Sequence, residues 1–404
     1  MQGTGKWRNR HIKKLIGMSI HLPATQTVSD KRRLPLLDAL RGVAALIVVY
    51  YHCYEGFALS FETQVCAHGF LAVDFFFMLS GFVTGYAYDD RWRGMSLAQF
   101  FRRRLLRLHP MLVIGVLWGV IAYFLGGCLR WDGTQTSLST IAIAALMSLF
   151  LIPCLPSGPD LRGYGEIFSL NGPHWSMFFE YMGNILYAIW LRRLSTRVLS
   201  CLVAITAALL IWTCFSFGRL DFGWGFIDYA LPGTDIQVSG FFFGMVRLLF
   251  PYGMGLLLSQ LFIHRQSQGK TVSLSPSLTF WASAVVLAFL LTMPYINTPE
   301  KHWIEPTYLV FCIIFVFPTL IWTAAHAADT KQSYMSFLGD ISYPLYAIHY
   351  PGLYLLFAYV GFPNTHTPMS EVWPIALGIA VGSIVMAWLL QRYYERPVRQ
   401  WMNG

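Results

Sequence analysis

The sequence predicts an all-α fold, a polytopic membrane helix bundle of about ten transmembrane helices, and three observations predict it. Hydrophobic residues make up 55% of the 404 residues and charged residues only 12%, whereas a soluble domain carries about a quarter charged residues. Aromatic residues reach 16%, as is typical of proteins with aromatic belts at the membrane interfaces. The apolar residues fall into eleven runs, near 38–59, 68–88, 108–126, 141–155, 174–191, 199–217, 241–262, 278–295, 306–325, 340–360 and 373–391.

The chain is predicted to consist of three parts: a basic cytoplasmic tail over residues 1–34, a membrane domain over 35–399 and a short cytoplasmic tail over 400–404. The first tail contains eight Lys and Arg residues but no long apolar core and no cleavage site, so it does not resemble a signal peptide. The net charge of +9 resides mostly in short segments beside apolar runs. It therefore indicates membrane topology rather than nucleic-acid binding.

The positions of the basic segments predict ten spans with both termini in the cytoplasm. Basic residues accumulate in cytoplasmic loops, and if all eleven runs crossed the membrane, the last three basic groups would lie outside. Removing one crossing between 126 and 174 places every basic group inside. The run at 141–155 is the shortest and ends in Pro153 and Pro156, so we interpret it as a re-entrant or interfacial helix. The segment 217–240, aromatic and with three aspartates, then faces outward.

The first apolar run contains two ionisable residues, Arg41 and His52, on one helix face. They lie eleven positions apart, which is close to three full turns and about 16 Å along the helix axis. Ionisable groups inside a membrane are energetically unfavourable and usually face a cavity, a partner or a reaction site. The alternative is an Arg that snorkels to the interface and a His that forms only a structural hydrogen bond.

A second feature is the amphipathic segment 96–108, which leads into the third run. On a helical wheel Arg104 falls within the apolar arc of this segment and Arg107 at the edge of that arc. A cation in such a place needs an anion or a carbonyl group, because its desolvation is unfavourable. The pair predicts a phosphate-binding site, since guanidinium groups bind phosphate in a bidentate fork. The alternative is contact with anionic lipid headgroups.

A third feature is Glu180, in the motif HWSMFFEY at 174–181. Glu180 is predicted to lie about 9–10 Å below the outer boundary, and His52 is expected about 10 Å below it as well. Two ionisable groups on different helices would then meet, and a carboxylate that orients an imidazole is the usual support of a general base. The sequence therefore predicts a catalytic His52–Glu180 pair. The alternative is a buried His–Glu pair that only holds helices together.

Weaker candidate site residues lie in the apolar runs. For most of them the alternative to a role in the site is a purely structural one. Ser80 is better suited to packing or hydrogen bonding than to nucleophilic attack, and His349 is better explained as structural than as catalytic. The sequence has no zinc motif, no Gly-rich phosphate loop and no metal-ligand spacing among its seven cysteines, so no metal is predicted. The weaker candidates are Asp74, Ser80, Trp175, Ser176, Tyr343 and His349.

The chain resembles the acyltransferase 3 family of membrane acyltransferases in the order of six motifs: LDALRGVAALIVVYYH, FLAVDFFFMLSGF, FFRRRLLRLHP, HWSMFFEY, ISYPLYAIH and YERP. The similarity runs over residues 36–399, and its most specific elements are the R-x10-H pair and the R-x-x-R pair. The resemblance implies ten membrane helices, an acyl-coenzyme A donor on the cytoplasmic side, O-acylation of a carbohydrate or other envelope acceptor, and His52 as the base. The long outward domain and the fused hydrolase-type domain of some relatives are absent, so the bundle is expected to act alone or with a separate partner.

From these observations we predict a bacterial inner-membrane O-acyltransferase that acetylates hydroxyls of an exopolysaccharide, a surface glycan or a lipid-linked sugar. No permanently bound cofactor is predicted; acyl-CoA, with acetyl-CoA expected, is a co-substrate whose phosphates lie against Arg104 and Arg107, with Arg41 beside them. His52, held by Glu180, either deprotonates the acceptor or accepts the acyl group itself. The expected partners are the lipid bilayer, the glycan acceptor and polysaccharide-biosynthesis proteins.

Two alternatives to this function stay open at the level of the sequence. One is a transporter or flippase for a sugar or an acyl carrier, which the missing internal repeat disfavours. The other is an acyltransferase that acts on a small molecule or a lipid.

Overall fold

A computed structural model describes residues 32–58, 63–269, 273–295, 301–330, 332–363 and 367–403. Helices account for nearly all regular structure among these residues, and the chain from Leu34 onward forms one compact unit. The all-α prediction is therefore confirmed. Most of the predicted basic tail, residues 1–31, lies outside the described residues.

The first half of the unit contains six helices, and three of them have a serine as the N-cap residue. Ser96 and Gln99 form a reciprocal capping box at the start of the third helix, which satisfies backbone N–H groups that have no partner within the helix. Short 3-10 turns occur at Gly69–Leu71, Arg91–Arg93 and Leu191–Arg193. The helices are α1 (Pro35–Glu55), α2 (Ala72–Tyr88), α3 (Leu97–Leu125), α4 (Leu138–Leu149), α5 (His174–Ile189) and α6 (Thr196–Phe217).

The second half begins with a small hairpin and continues with seven helices. Strands β1 (Asp228–Ala230) and β2 (Gln237–Ser239) are antiparallel, with Asp228 opposite Ser239. Two π-helical turns, Cys312–Val316 and Gln391–Glu395, each join two helices. The helices are α7 (Gly240–Ser267), α8 (Pro276–Thr292), α9 (Ile304–Phe311), α10 (Phe317–Ala325), α11 (Ser333–Val360), α12 (Met369–Leu390) and α13 (Arg396–Asn403).

Seven helical segments of the described residues are long and apolar enough to cross a membrane, so the chain is a multi-pass membrane protein. The predicted number of ten spans stays a prediction. The seven segments are Pro35–Glu55, Gly69–Tyr88, Leu97–Leu125, Thr196–Phe217, Gly240–Ser267, Ile304–Ala325 and Met369–Trp401.

Helix α4 corresponds to the run that the sequence predicts as re-entrant or interfacial. It has 12 residues, or about 18 Å at 1.5 Å per residue, too short for a hydrocarbon core about 30 Å thick. The loops on its two sides meet, because the backbone N–H of Trp131 donates to the carbonyl of Arg162 at 3.2 Å. Both observations agree with a helix that returns to the side from which it came.

The centre of the bundle depends on two close helix pairs, α1 with α11 and α2 with α7. A Cβ atom at Gly42 would overlap the backbone carbonyl of Leu338, and one at Gly81 would overlap that of Tyr252. Small residues of this kind allow backbones to approach within a membrane. Gly81 thus allows α2 and α7 to pack closely.

The segment between α4 and α5 folds into the bundle. Phe168 and Leu170 are buried, and the N–H of Ile167 donates to the carbonyl of Trp224 at 3.0 Å, which joins this segment to the loop before the hairpin. As a result α5 begins inside the bundle, where His174 is fully buried. The depth that the sequence predicts for Glu180 below the outer membrane boundary stays a prediction.

Candidate active site

His52 lies in the last turn of α1 and forms a hydrogen bond with a carboxylate of the same turn. Its Nδ1 is 2.7 Å from Oε2 of Glu55, since residues three positions apart share a helix face. An ionised carboxylate only accepts hydrogen bonds, so the proton of the imidazole belongs on Nδ1. Nε2, which carries the free lone pair, is then the basic atom of the ring. His52 and Glu55 together have the form of an oriented general base.

The predicted contact between His52 and Glu180 is wrong. Glu180 Oε1 instead accepts a hydrogen bond from Ser80 Oγ at 2.8 Å and lies 3.3 Å from Nη2 of Arg104. Glu180 is held by side chains of α2 and α3, whereas His52 is paired within α1. The hydrogen-bonding role expected for Ser80 is confirmed.

Helix α11 supplies a second layer around His52. The hydroxyl of Tyr350 donates to the same Glu55 oxygen at 2.8 Å, and its ring centroid lies 4.7 Å from that of His52. His349 is fully buried, with its ring centroid 5.3 Å from that of His52. Its Nδ1 faces the carbonyls of Leu345 and Tyr346, both at 3.1 Å. Of the weaker candidates, His349 is therefore the one placed against His52.

His52 and Glu55 line a cavity of about 790 Å³ at the C-terminal end of α1, a volume in the usual range for a small-molecule site. The candidate Trp175 forms part of its wall and packs edge-on against Phe77 and Phe179. Aromatic side chains from the loops and from α11 line much of the rest. The cavity can therefore hold a substrate against the basic nitrogen of His52.

Asp74 forms an ion pair with Arg247, which lines the cavity. The two side chains are fully buried and form a two-point ion pair, with Oδ2 2.6 Å from Nη2 and Oδ1 3.2 Å from Nε. Arg247 also donates to the carbonyls of Phe70 and Phe222, each at 2.9 Å. A buried ion pair with this many hydrogen bonds fixes several segments relative to one another. The sequence reasoning missed Arg247, although a single Arg inside the run 241–262 was a visible signal.

Two further side chains at the cavity also escaped the sequence reasoning. Glu166 accepts a hydrogen bond from the hydroxyl of Tyr354 at 2.8 Å, and both residues line the cavity. Burial raises the pKa of the Glu166 carboxyl to about 8. No local spacing joins a loop residue of 150–173 to a helix residue near 354, so the sequence held no signal for this pair.

The basic residues predicted for phosphate binding lie together near the other end of α1. Arg41 donates from Nε to Ser342 Oγ at 2.8 Å and lies 3.3 Å from an oxygen of Asp38. Arg107 is within electrostatic reach of Arg41, Arg104 and Arg399. Their arrangement is a cluster of guanidinium groups, which suits an anion.

Arg104 is the most buried member of this cluster, with 3% of its surface exposed. Glu180 and Ser80 contact its Nη2, but its Nε has no hydrogen-bond partner among the described residues. Glu395 of the YERP motif forms an ion pair with Arg399, whose Nη2 also donates to the Arg107 carbonyl at 3.2 Å.

The two remaining candidates make structural contacts. The Ser176 hydroxyl lies 2.5 Å from that of Tyr346 and donates to the Pro173 carbonyl at 3.1 Å. The hydroxyl of Tyr343 donates to the carbonyl of Leu108 and so joins α11 to α3. The hydrogen bonds of the Ser176 and Tyr343 hydroxyls are thus made with groups other than His52.

Comparison with known proteins places the chain among acyltransferases. The profile of the Acyltransferase domain family matches residues 34–392. Protein 2 in picA locus of Rhizobium radiobacter is 34% identical over 194 residues, covering 45% of this chain and 95% of that protein. Acyltransferase MdmB of Streptomyces mycarofaciens is 26% identical over 398 residues, covering 90% of this chain and 91% of that protein.

A third relative is longer than this chain. The peptidoglycan O-acetyltransferase OatA of Listeria monocytogenes is 25% identical over 391 residues, covering 93% of this chain. The match covers 57% of the length of that protein. No solved structure matches the chain.

Proposed function

Since the chain belongs to the Acyltransferase domain family, we propose that it is a bacterial inner-membrane O-acyltransferase with both termini in the cytoplasm. It moves an acyl group, acetyl in this proposal, from cytoplasmic acyl-CoA to a hydroxyl of an exopolysaccharide, a surface glycan or a lipid-linked sugar. The name of the Listeria relative, a peptidoglycan O-acetyltransferase, supports both the acetyl group and the carbohydrate acceptor.

The observation that carries the proposal is the His52–Glu55 pair in the wall of the cavity. In the proposed reaction His52 Nε2 removes the proton of an acceptor hydroxyl, and the oxygen attacks the thioester carbonyl of the donor. A C–O bond forms, the C–S bond breaks, and coenzyme A leaves as a thiolate that takes up a proton. Glu55 stabilises the imidazolium while the proton resides on His52.

The basic cluster near the start of α1 is proposed to bind the phosphates of the donor. The unpaired Nε of buried Arg104 supports this, because such a group is normally satisfied by a ligand or a water molecule. Arg41 and His52 are separated by about 16 Å along α1, which an extended pantetheine arm can span. The thioester would then reach the cavity from the cytoplasmic side while the acceptor enters from the outer side.

The first test removes the proposed base. His52→Ala should reduce transfer by at least about 10²-fold, since a positioned general base contributes about 10²–10⁴-fold. The measurement is the O-acetyl ester content of envelope glycans, by mass spectrometry, in a deletion strain complemented with each variant. His264→Ala makes the same change at an exposed residue of α7 and should restore wild-type ester levels. Near-normal esters with His52→Ala would contradict the catalytic assignment.

The second test addresses the donor site. Arg104→Gln should weaken acetyl-CoA binding by about tenfold or more, because a charge-assisted hydrogen bond to phosphate is lost. Titration calorimetry on the purified protein measures this affinity. Arg103→Gln is the matched control, since Arg103 is exposed one position earlier on α3. Equal affinities for the two variants would remove the phosphate-site assignment.

A further inference from the structure

Three aromatic side chains from separate segments form what we call the aromatic rim of the cavity: Trp131, Tyr164 and Phe362. The ring centroid of Phe362 lies 5.2 Å from that of Trp131 and 5.8 Å from that of Tyr164. Tyr164 is 40% exposed, so its ring is accessible although it lines the cavity. Accessible aromatic rings next to a cavity favour flat, partly apolar ligands such as sugar rings.

A continuous series of aromatic contacts connects the rim to the catalytic pair. The ring of Trp131 lies 6.0 Å from that of Tyr354, which lies 4.6 Å from that of Tyr350. The Tyr350 ring in turn lies 4.7 Å from His52. The rings of Tyr354 and Tyr350 therefore lie between Trp131 and His52 in this series, an arrangement that suits a neighbouring unit of the molecule whose hydroxyl lies at His52.

Arg162 holds the rim in place. Its guanidinium carbon lies 4.7 Å from the ring centroid of Trp131 and 4.0 Å from that of Tyr354, distances typical of cation–π contacts. Its Nε donates to the Ser169 carbonyl at 3.3 Å, and the side chain is almost fully buried. Trp131 is thus fixed before any ligand binds, which reduces the entropy lost on binding.

The charged groups that line the cavity are matched by internal partners, and Arg162, whose Nη2 has no partner, is buried and does not belong to that lining. Arg219 forms two hydrogen bonds with Asp221, at 2.5 and 2.6 Å, and Arg247 is paired with Asp74. Glu55 is paired with His52, and Glu166, whose pKa burial raises to about 8, is largely protonated at neutral pH. An acidic or phosphorylated ligand would have to break one of these pairs, whereas an uncharged ligand would not.

On the basis of the proposed function, we propose that the aromatic rim binds a second sugar ring of an uncharged glycan, next to the sugar whose hydroxyl lies at His52. Trp131 and Tyr164 provide the stacking surface for this ring. Glu166 and Tyr354 provide hydrogen-bonding groups for its hydroxyls. The acceptor is then an oligomer of at least two neutral sugars rather than a free monosaccharide.

Binding measurements on the full chain in nanodiscs test the subsite. The probes are the neutral disaccharides cellobiose, maltose and chitobiose, the monosaccharide of each, and cellobiouronic acid as the acidic counterpart of cellobiose. Wild-type protein should bind at least one of the disaccharides about tenfold more tightly than its monosaccharide, a difference of about 1.4 kcal/mol. Cellobiouronic acid should bind more weakly than cellobiose if cellobiose is a ligand.

Variants assign this difference to the rim. Tyr164→Ala and Trp131→Ala should remove the disaccharide advantage, whereas Tyr164→Phe and Trp131→Phe should retain most of it because a ring remains. Trp373→Ala, at an exposed position outside the cavity lining, should bind like wild type. Tyr164 is the safer position, since its exposed ring contributes less to folding than that of Trp131.

Each failure has a distinct meaning. The subsite is overturned if no neutral disaccharide binds better than its monosaccharide. It is also overturned if both alanine variants keep the disaccharide advantage, which is the result expected if these rings only form a belt at the membrane interface. Hydrolysis of labelled acetyl-CoA is followed in parallel. If wild-type protein does not hydrolyse acetyl-CoA, the proposed acyltransferase function is contradicted. Sugar binding is measured without acetyl-CoA, so the two failures can be told apart.

Discussion

At the scale of single residues, the partner of His52 determines which carboxylate should matter for the chemical step. Glu55→Gln keeps the size of the side chain but removes the charge that stabilises the imidazolium, so kcat should fall by about 10²–10⁴-fold. Tyr350→Phe removes one hydrogen bond to Glu55, and a decrease of less than about tenfold is expected. The measurement is the initial rate of labelled acetyl transfer at saturating donor.

Glu180→Gln provides the contrast, because Glu180 contacts Arg104 and Ser80 rather than His52. It should change the KM for acetyl-CoA more than it changes kcat. The reverse result, a severe kcat defect in Glu180→Gln with near-normal Glu55→Gln, would restore the pairing that the sequence suggested.

The carboxyl of Glu166 should make stability depend on pH. Burial raises its pKa from 4.5 to about 8; Tyr354 and Arg162 oppose this shift, whereas Asp160 and Glu55 add to it. The stability contributed by the protonated form is complete below about pH 4.5 and is lost as the pH rises to about 8. The side chain of Glu166→Gln cannot ionise, so the thermal midpoint of this variant should increase relative to that of wild type as the pH rises from 5 to 8. A difference between the two midpoints that does not change with pH would contradict the raised pKa.

At the scale of helices, the contact between α1 and α11 positions the catalytic pair, because α11 supplies Tyr350 and His349. Gly42→Ala places a Cβ atom against the Leu338 carbonyl and should destabilise the protein by about 1–3 kcal/mol through overpacking. Thermal unfolding in detergent measures the change. Gly378→Ala is the matched control, since a Cβ atom at this helical glycine of α12 meets nothing within 4 Å. Similar midpoints for the two variants would show that the helix pair is not closely packed.

Local periodicity predicted the helical elements well. The same periodicity also predicted which of the site residues share a helix face. Arg41 and His52 share one face because the spacing of a helix is fixed, and the i, i+3 relation of His52 and Glu55 was equally readable in the sequence. The hydrogen-bond partners of Glu180 could not be read, since they depend on how α5 packs against α2 and α3. The Arg247–Asp74 pair joins α7 to α2 across 173 positions, and no pattern within either helix specifies its partner.

At the scale of the whole molecule, the two ends of α1 carry different chemistry. The guanidinium cluster lies near one end, and the cavity with the His52–Glu55 pair lies at the other. A bundle of this kind can receive a charged donor from one side of the membrane and an uncharged acceptor from the other. In the proposed reaction neither substrate would have to cross completely, because the donor's arm reaches the cavity and only the acyl group is transferred to the acceptor.

This arrangement requires that the loops on both sides of α4 face outward. Single cysteines introduced as Gln135→Cys and Ser157→Cys, in a background without the seven native cysteines, should both react with a membrane-impermeant maleimide added to intact cells. Both positions are exposed, so access depends on the side of the membrane. Gln268→Cys, exposed just beyond α7, should react only after the membrane is permeabilised. Labelling of 135 and 157 from opposite sides would make α4 a crossing helix, and labelling of 268 in intact cells would reverse the proposed orientation of the donor and acceptor ends.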